Sequence, residues 1–389
     1  MRNEGWILAG ALLTLAGALS GSYAIGTLGL LLLSVVLTAK LWARFALHRV
    51  RYERTLSSER IYAGESVVLE LHLTNPKPLT LPWLVVEDRV EETLILRGLE
   101  EEPRPGRKYE LRFQVSVGWY ERLRFRYTLE CPRRGYHLIG PATLRSGDPF
   151  GLYERVEKLG DTLGVLVYPK LVPVEQLALD RLFPFEGTRT GRGMLDDPLN
   201  VVGARPYAEG DTLRQVHWRA SARSTRLQSK VLRPTTEPGV LIFLDLASAE
   251  HAWQGVDAEA VEYAISTAAT VAHRVHNERR ALGLYVNGLR SGTRQKIRIG
   301  LARADQTFLA VMDTLARVFP YPNMPLAELL RAERRKLPAG TTVVVVTAVR
   351  LRAVDEQVEL YRRAGHHVLL LDVGLSRAIS RETRTGVTS

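Results

Sequence analysis

The sequence predicts a multidomain chain: an N-terminal transmembrane helical hairpin, a β-sandwich domain, and an α/β domain with a mostly parallel sheet. Three patterns carry that expectation. Gly5 to Ala39 contains no charged residue. Residues 55–170 are short runs that alternate apolar and polar side chains between turn residues. Residues 236–375 alternate apolar strand-like runs with segments whose apolar residues recur at helical spacing.

As one helix, Gly5 to Ala39 would run about 50 Å, well beyond a hydrocarbon core of ~30 Å. Ser20-Gly21-Ser22-Tyr23 supplies a turn, which divides it into spans from Trp6 to Ser20 and from Ala24 to Trp42. A cleaved signal peptide is the rival reading, with Ala16-Gly17-Ala18 as a small-residue cleavage site. Against it, Arg2 and Glu4 nearly cancel at the amino end, and apolar sequence continues far past that site. Lys40, Arg44, Arg49, Arg51 and Arg54 follow the second span. The positive-inside rule then sets a multi-pass topology in the plasma membrane, with both termini and the soluble domains in the cytoplasm. The hairpin and its basic flank occupy 1–54.

In the β domain, 55–170, the run Val67 to Leu73 alternates and ends at Asn75-Pro76-Lys77-Pro78. Leu81 to Val86, Lys108 to Val117 and Arg122 to Leu129 follow the same pattern, and strands without helical periodicity suggest a sandwich. Tyr109, Trp119, Tyr120, Phe125 and Tyr127 either form a binding surface or pack the sandwich core. Core packing is the favoured expectation.

A connecting segment, 171–235, holds two features. Glu186-Gly187-Thr188-Arg189-Thr190-Gly191-Arg192-Gly193 reads as a surface loop or an anion nest, without the residue order of a P-loop. Next, Gly203 to Arg233 gathers Arg205, Arg214, Arg219, Arg223, Arg226, Lys230 and Arg233 against Glu209 and Asp211. Gly210-Asp211 is a helix-start signal. Helical spacing from there would align Arg214, Trp218 and Ala222 on one face, and Arg219 with Arg223. An extended run from Leu227 to Leu232 follows.

The α/β domain, 236–375, opens with the apolar strand Val240 to Asp245. Val261, Ala264, Ile265, Ala268, Val271, Ala272 and Val275 mark a helix, Leu282 to Val286 a strand, and Lys296 to Ile299 an edge strand. Phe308, Val311, Met312, Leu315 and Val318 mark a second helix. Thr342 to Thr347 is a buried strand, Val354 to Arg363 a helix and His367 to Asp372 a last strand. Such alternation calls for a parallel sheet covered on both faces. Residues 376–389 form a polar, loose tail.

The net charge of +11 favours anionic partners, whether protein, lipid or nucleic acid. The single cysteine, Cys131, excludes an internal disulfide and any multi-cysteine zinc site. It is expected to be a buried or strand-end residue, since a turn separates it from His137.

Arg205, Tyr207, Gly210, Asp211, Arg214, Trp218, Ser221, Ala222, Arg223, Leu227 and Lys230 closely resemble the signature R-x-Y-x-x-G-D-x-x-R-x-x-x-W-x-x-S-A-R-x-x-x-L-x-x-K of the bacterial domain-of-unknown-function 58 family. Arg134 to Pro141 and Asp148-Pro149-Phe150-Gly151-Leu152 are also similar to that family. The α/β order resembles the von Willebrand factor A fold, in which a divalent metal sits at the carboxyl edge of the sheet. There its ligands come from D-x-S-x-S, a threonine loop and a later aspartate. Here Asp245 matches the first position, but Ala247 and Ala249 replace both serines and Ala348 follows Thr347 where the aspartate belongs. Mg²⁺ wants six oxygen ligands, so neither metal nor cofactor is expected. Asp245 is the one candidate ligand, and capping of the next helix or an arginine partner is the favoured role.

The function expected is a membrane-anchored scaffold or adaptor without catalytic residues. The resemblance points to MoxR-type AAA ATPases as its partner class. Arg205, Tyr207, Gly210, Asp211, Arg214, Trp218, Ser221, Arg223 and Lys230 would either hold the partner or knit the two soluble domains together. Nucleic-acid or anionic-lipid binding by the basic surface is the alternative, although no basic-aromatic nucleic-acid motif is present. A hydrolase built on His217, Ser221 and Asp211 is less favoured, because the G-x-S-x-G elbow is missing.

Overall fold

The structure is a computed structural model that describes residues 4–97, 110–173, 196–208, 216–224, 226–234, 239–250, 255–290, 295–303 and 305–374. Contacts divide the chain into two compact units, Met1–Tyr168 and Pro169–Ser389.

The first unit opens with α1 (Glu4–Ser20) and α2 (Tyr23–Ala46), separated by Gly21 at φ +65°. They pack antiparallel with small residues between them. A Cβ on Gly17 would collide with the Gly26 backbone, and one on Gly29 with the Thr14 backbone. Such close backbone approach is how helices associate where no water drives them together. The hydroxyls of Thr14, Thr27, Ser34 and Thr38 each donate to a carbonyl about one turn back, so none is left unpaired on an apolar helix. Among the described residues, α2 is the one helix long and apolar enough to cross a membrane, while α1 has 17 residues.

The same unit continues into two facing sheets. One has the order β1 (Arg51–Leu56), β3 (Ser66–Thr74), β7 (Arg122–Glu130), β5 (Ile95–Arg97). The other runs β2 (Arg60–Tyr62), β10 (Leu163–Tyr168), β8 (Gly135–Gly147), β4 (Leu81–Val90), β6 (Glu110–Val117), with β9 (Glu154–Leu159) also paired to β8. Period-two burial is clearest in β3, where Val67, Leu69, Leu71 and Leu73 point into the core and the residues between them do not. Ala46 and Leu47, at the end of α2, belong to that same core. The strand β1 crosses the boundary expected at residue 54, so helix and sandwich share structure there.

One polar cluster lies inside this core. Asp88 is fully buried and receives the Tyr52 hydroxyl at 2.8 Å and Arg54 Nη1 at 3.3 Å. Arg54 also donates to the carbonyls of Ile139 at 3.0 Å and Asp161 at 2.7 Å, so its guanidinium joins β1 to the opposite sheet. Burial raises the Asp88 carboxyl above its ordinary value, and Arg54 opposes that rise. Cys131 is buried as expected, with its thiol pushed up to about 11 by burial. His137 is held by Thr93 at 2.9 Å, Glu91 at 3.1 Å and the Arg133 carbonyl at 3.1 Å.

The aromatic residues of this unit divide. Phe125 and Tyr127 pack against the core, with Phe125 4.7 Å from Phe113. Trp119 and Tyr120 instead stand out at 65% and 66% exposed, against the favoured expectation of core packing. The reason is position: both sit in the turn between β6 and β7, beyond the alternation of the strands. Tyr109 lies outside the described residues.

The second unit contains a ribbon, β11 (Asp196–Pro206) paired antiparallel with β12 (Gln228–Pro234), and the short helix α3 (Trp218–Ser221). It also contains a mixed sheet. Parallel neighbours β14 (Leu282–Arg290), β13 (Val240–Leu244), β17 (Thr342–Thr347) and β18 (His367–Asp372) are flanked by antiparallel β15 (Lys296–Ala302) on β14. β16 (Val318–Pro322) also pairs with β14, an element that its two prolines hid from the sequence pattern.

Every residue of β13 and β17 is buried, as central strands covered on both faces require. Leu241, Phe243, Val343 and Val345 pack with α6 (Leu326–Glu333) and α7 (Arg352–Arg363). The alternate residues point to the other face, where α4 (Ala258–Asn277) and α5 (Asp305–Arg317) cover the sheet. Asp257 caps α4 by accepting from Glu259 N and Ala260 N at 3.0 and 3.1 Å.

Candidate functional site

The basic segment folds as a stapled ribbon. Antiparallel pairing places Arg205 opposite Ser229 and Ala204 opposite Lys230. Val216 forms a bridge with Ser229, and both are buried. That bridge is incompatible with the expected helix running from Asp211 through Ala222. The helix begins instead at Trp218, and its cap is His217, whose Nδ1 accepts from Ala220 N at 3.0 Å. Gly210, Asp211 and Arg214 lie outside the described residues, as does the glycine-rich loop 186–193.

Ser221 locks this helix to β12. Its Oγ donates to the His217 carbonyl at 3.1 Å and accepts from Gln228 N at 2.8 Å. Gln228 O in turn accepts from His217 N at 2.7 Å, and Leu227 O from Tyr207 N at 3.0 Å. His217 Nδ1 and the Ser221 hydroxyl therefore spend these hydrogen bonds on backbone.

What the staple leaves outside is an aromatic and cationic face. Trp218 is 63% exposed, Leu227 is half exposed and Tyr207 only slightly less so. Arg219, Arg223 and Arg226 are exposed, whereas Lys230 is half-buried. Ser221, Ala222, Arg223, Ser224, Arg226 and Leu227 line a shallow open depression there.

A second polar cluster sits at the carboxyl edge of the parallel strands. Asp245 is 1% exposed. Its Oδ1 accepts from Ala247 N at 3.0 Å and Asn287 Nδ2 at 2.6 Å, and its Oδ2 lies 2.9 Å from Thr347 Oγ1. Asn287 Oδ1 accepts from Leu246 N at 2.9 Å. The described partners of Asp245 are thus neutral, neither the arginine nor the following helix that the sequence suggested. Asp257 has taken the capping role, and Ser248 Oγ is occupied by Asp257 N at 2.7 Å. The sequence reading missed Asn287 and Thr347, although a signal existed. Each is the polar residue that interrupts or ends an apolar strand adjacent to the one ending at Asp245.

Burial raises the Asp245 carboxyl above its ordinary value. Stoichiometry points the same way. Thr347 has one hydroxyl proton but lies 2.9 Å from Asp245 Oδ2 and 2.8 Å from the Val349 carbonyl. A protonated Asp245 donating to Thr347, which then donates to Val349 O, satisfies both contacts. A divalent cation fits poorly. The groups turned toward the carboxyl are two N–H donors and one hydroxyl, Ala247 and Ala249 add no side-chain oxygen, and among the described residues no three His, Cys, Asp or Glu side chains gather.

Residues 203–375, which include the last residues of β11, all of β12 and the Asp245 cluster, match a family model described as "Protein of unknown function DUF58". The chain is 26% identical over 309 residues to the "Uncharacterized protein YeaD" of Bacillus subtilis (strain 168), covering 78% of this chain and 71% of that protein. Among solved structures it is similar to a CARDB domain from Pyrococcus furiosus, 16% identical with a TM-score of 0.22 over 30% of this chain and 91% of that one. A cohesin module from a Clostridium perfringens family 33 glycoside hydrolase is 12% identical, with a TM-score of 0.23 over 30% and 96%. At those scores neither structure carries an argument about this chain.

Proposed function

We propose that this chain is a membrane-anchored scaffold whose ribbon docks an acidic face of a protein partner on the cytoplasmic side. The observation that carries the reading is Trp218: a large indole 63% exposed at the start of a one-turn helix pinned by His217 and Ser221. Arg219 and Arg223 stand exposed beside it. An exposed aromatic with arginines close by in sequence is the composition that concentrates binding energy in protein interfaces. The family resemblance supplies the partner class, a MoxR-type AAA ATPase. Two membrane spans, α1 and α2, would set the multi-pass anchor, and the basic residues after α2 support the cytoplasmic orientation. The strand order around β13, with Asp245 at its end, supports a von Willebrand factor A-like domain without its metal.

The test is crosslinking capture from native membranes, comparing wild type with Trp218→Ala and Arg223→Glu and identifying the captured protein. Both variants are expected to lose capture while the soluble part melts unchanged, since exposed substitutions usually move stability by less than about 0.5 kcal/mol. Lower melting in step with lost capture assigns these residues to structure instead. DNA retention that depends on Arg223, with no captured protein, overturns the reading.

A further inference from the structure

We infer that the end of the sandwich nearest α2 is itself a membrane-contact surface, with Trp119, Tyr120 and Phe150 inserted into the interfacial zone of the bilayer. The inference rests on α2 crossing that bilayer. The pairing registers bring one set of loops to one end of the sandwich. Arg51, the first residue of β1 after α2, lies opposite Thr74; Thr74 lies opposite Arg122; Leu81 lies opposite Val117; and Leu84 lies opposite Ser146. The turns β3–β4, β6–β7 and β8–β9 therefore share the end at which α2 enters.

Hydrogen bonds tie the first two of these turns to the helix. Lys77, in the β3–β4 turn, donates through Nζ to the Ala46 carbonyl at 2.6 Å, satisfying a carbonyl that the helix end leaves open. Lys77 O accepts from Tyr120 N at 3.4 Å, and Asn75 Nδ2 donates to Gly118 O at 2.7 Å. The β8–β9 turn is built on Asp148, whose carboxylate accepts from Phe150 N at 2.8 Å and Leu152 N at 3.2 Å, and it holds Phe150 65% exposed. Its base is fixed by Trp83 Nε1 donating to Asp148 O at 3.0 Å.

The surface these turns present has the composition of an interfacial zone. Trp119, Tyr120 and Phe150 are each about two-thirds exposed on rigid turns, and Phe45 is half exposed on the last turn of α2. Lys40, Arg44, Arg49 and Arg51 are exposed along the helix end and the linker. Aromatic rings settle at the headgroup level, and cations there are drawn to anionic lipid. A protein partner has no such continuity with α2, and the bilayer is already at hand.

The test places the full chain in vesicles of phosphatidylcholine and phosphatidylglycerol with brominated acyl chains and reads tryptophan quenching. Trp119→Phe is expected to remove part of the quenched emission. Phe150→Trp in that background is expected to restore a quenched component. If Trp6→Phe and Trp42→Phe lower quenching while neither change at the turns moves it, the inference is overturned and the anchor stands. If none of these tryptophans is quenched, the anchor fails and takes the inference with it.

Discussion

Asp245 illustrates how a side chain's neighbours decide its chemistry. It ends an apolar strand where a charged carboxylate would need cations, yet its described partners are an amide, a hydroxyl and a backbone N–H. A folded-state pKa raised above the ordinary 3.8 means that its contribution to stability is fully present below that value. It is lost as pH rises through the folded pKa. The non-titrating Asp245→Asn variant should therefore gain melting temperature relative to wild type as pH climbs above about 4. A difference that stays flat or runs the other way would show that the carboxyl is ionised in the fold. The cluster was only half legible beforehand: the terminal aspartate stands out in the sequence, but its partners lie 42 and 102 residues away.

Among the elements, α3 shows local propensity overruled by pairing. Gly210-Asp211 carries a good start signal, but the Val216–Ser229 bridge claims the backbone that a long helix would need. Among the described residues α3 is one turn, too short to persist alone. Its stability comes from Ser221, which joins the helix to β12 in both directions of hydrogen bonding. Ser221→Ala should leave the Gln228 N–H unpaired and cost about 1 kcal/mol locally, seen as faster amide exchange at Ala220 to Gln228 with little change in global melting. Unchanged exchange there would sink the stapling role. The sandwich strands β3, β4, β6 and β7, by contrast, were legible because each follows from alternation within a few residues. Trp119 and Tyr120 escaped that logic, since a turn residue has no alternation to inherit.

For the molecule as a whole, the junction between helix and sandwich matters most. Leu47 and Ala46 are core residues, and Tyr52 and Arg54 reach Asp88 from β1. A soluble fragment beginning at Thr55 would lose both partners and leave Asp88 buried without its cation. It should be less stable than a fragment beginning at Trp42 by about 3–5 kcal/mol in denaturant melts. Equal stability would mean that the Arg54–Asp88 pair contributes nothing net. The physical consequence is that α2 is coupled stiffly to the sandwich, with Lys77 closing the joint at the Ala46 carbonyl.

Local chemistry along the chain was enough to specify an apolar helical start, alternating strands, buried parallel strands and a basic segment with one tryptophan. Each of those signals is written within a turn or a strand's length. Folding alone could choose His217 as a cap, gather Asn287 and Thr347 around Asp245, and set Trp119 and Phe150 beside the end of α2. Those outcomes depend on contacts between distant segments, whose register no short-range pattern encodes.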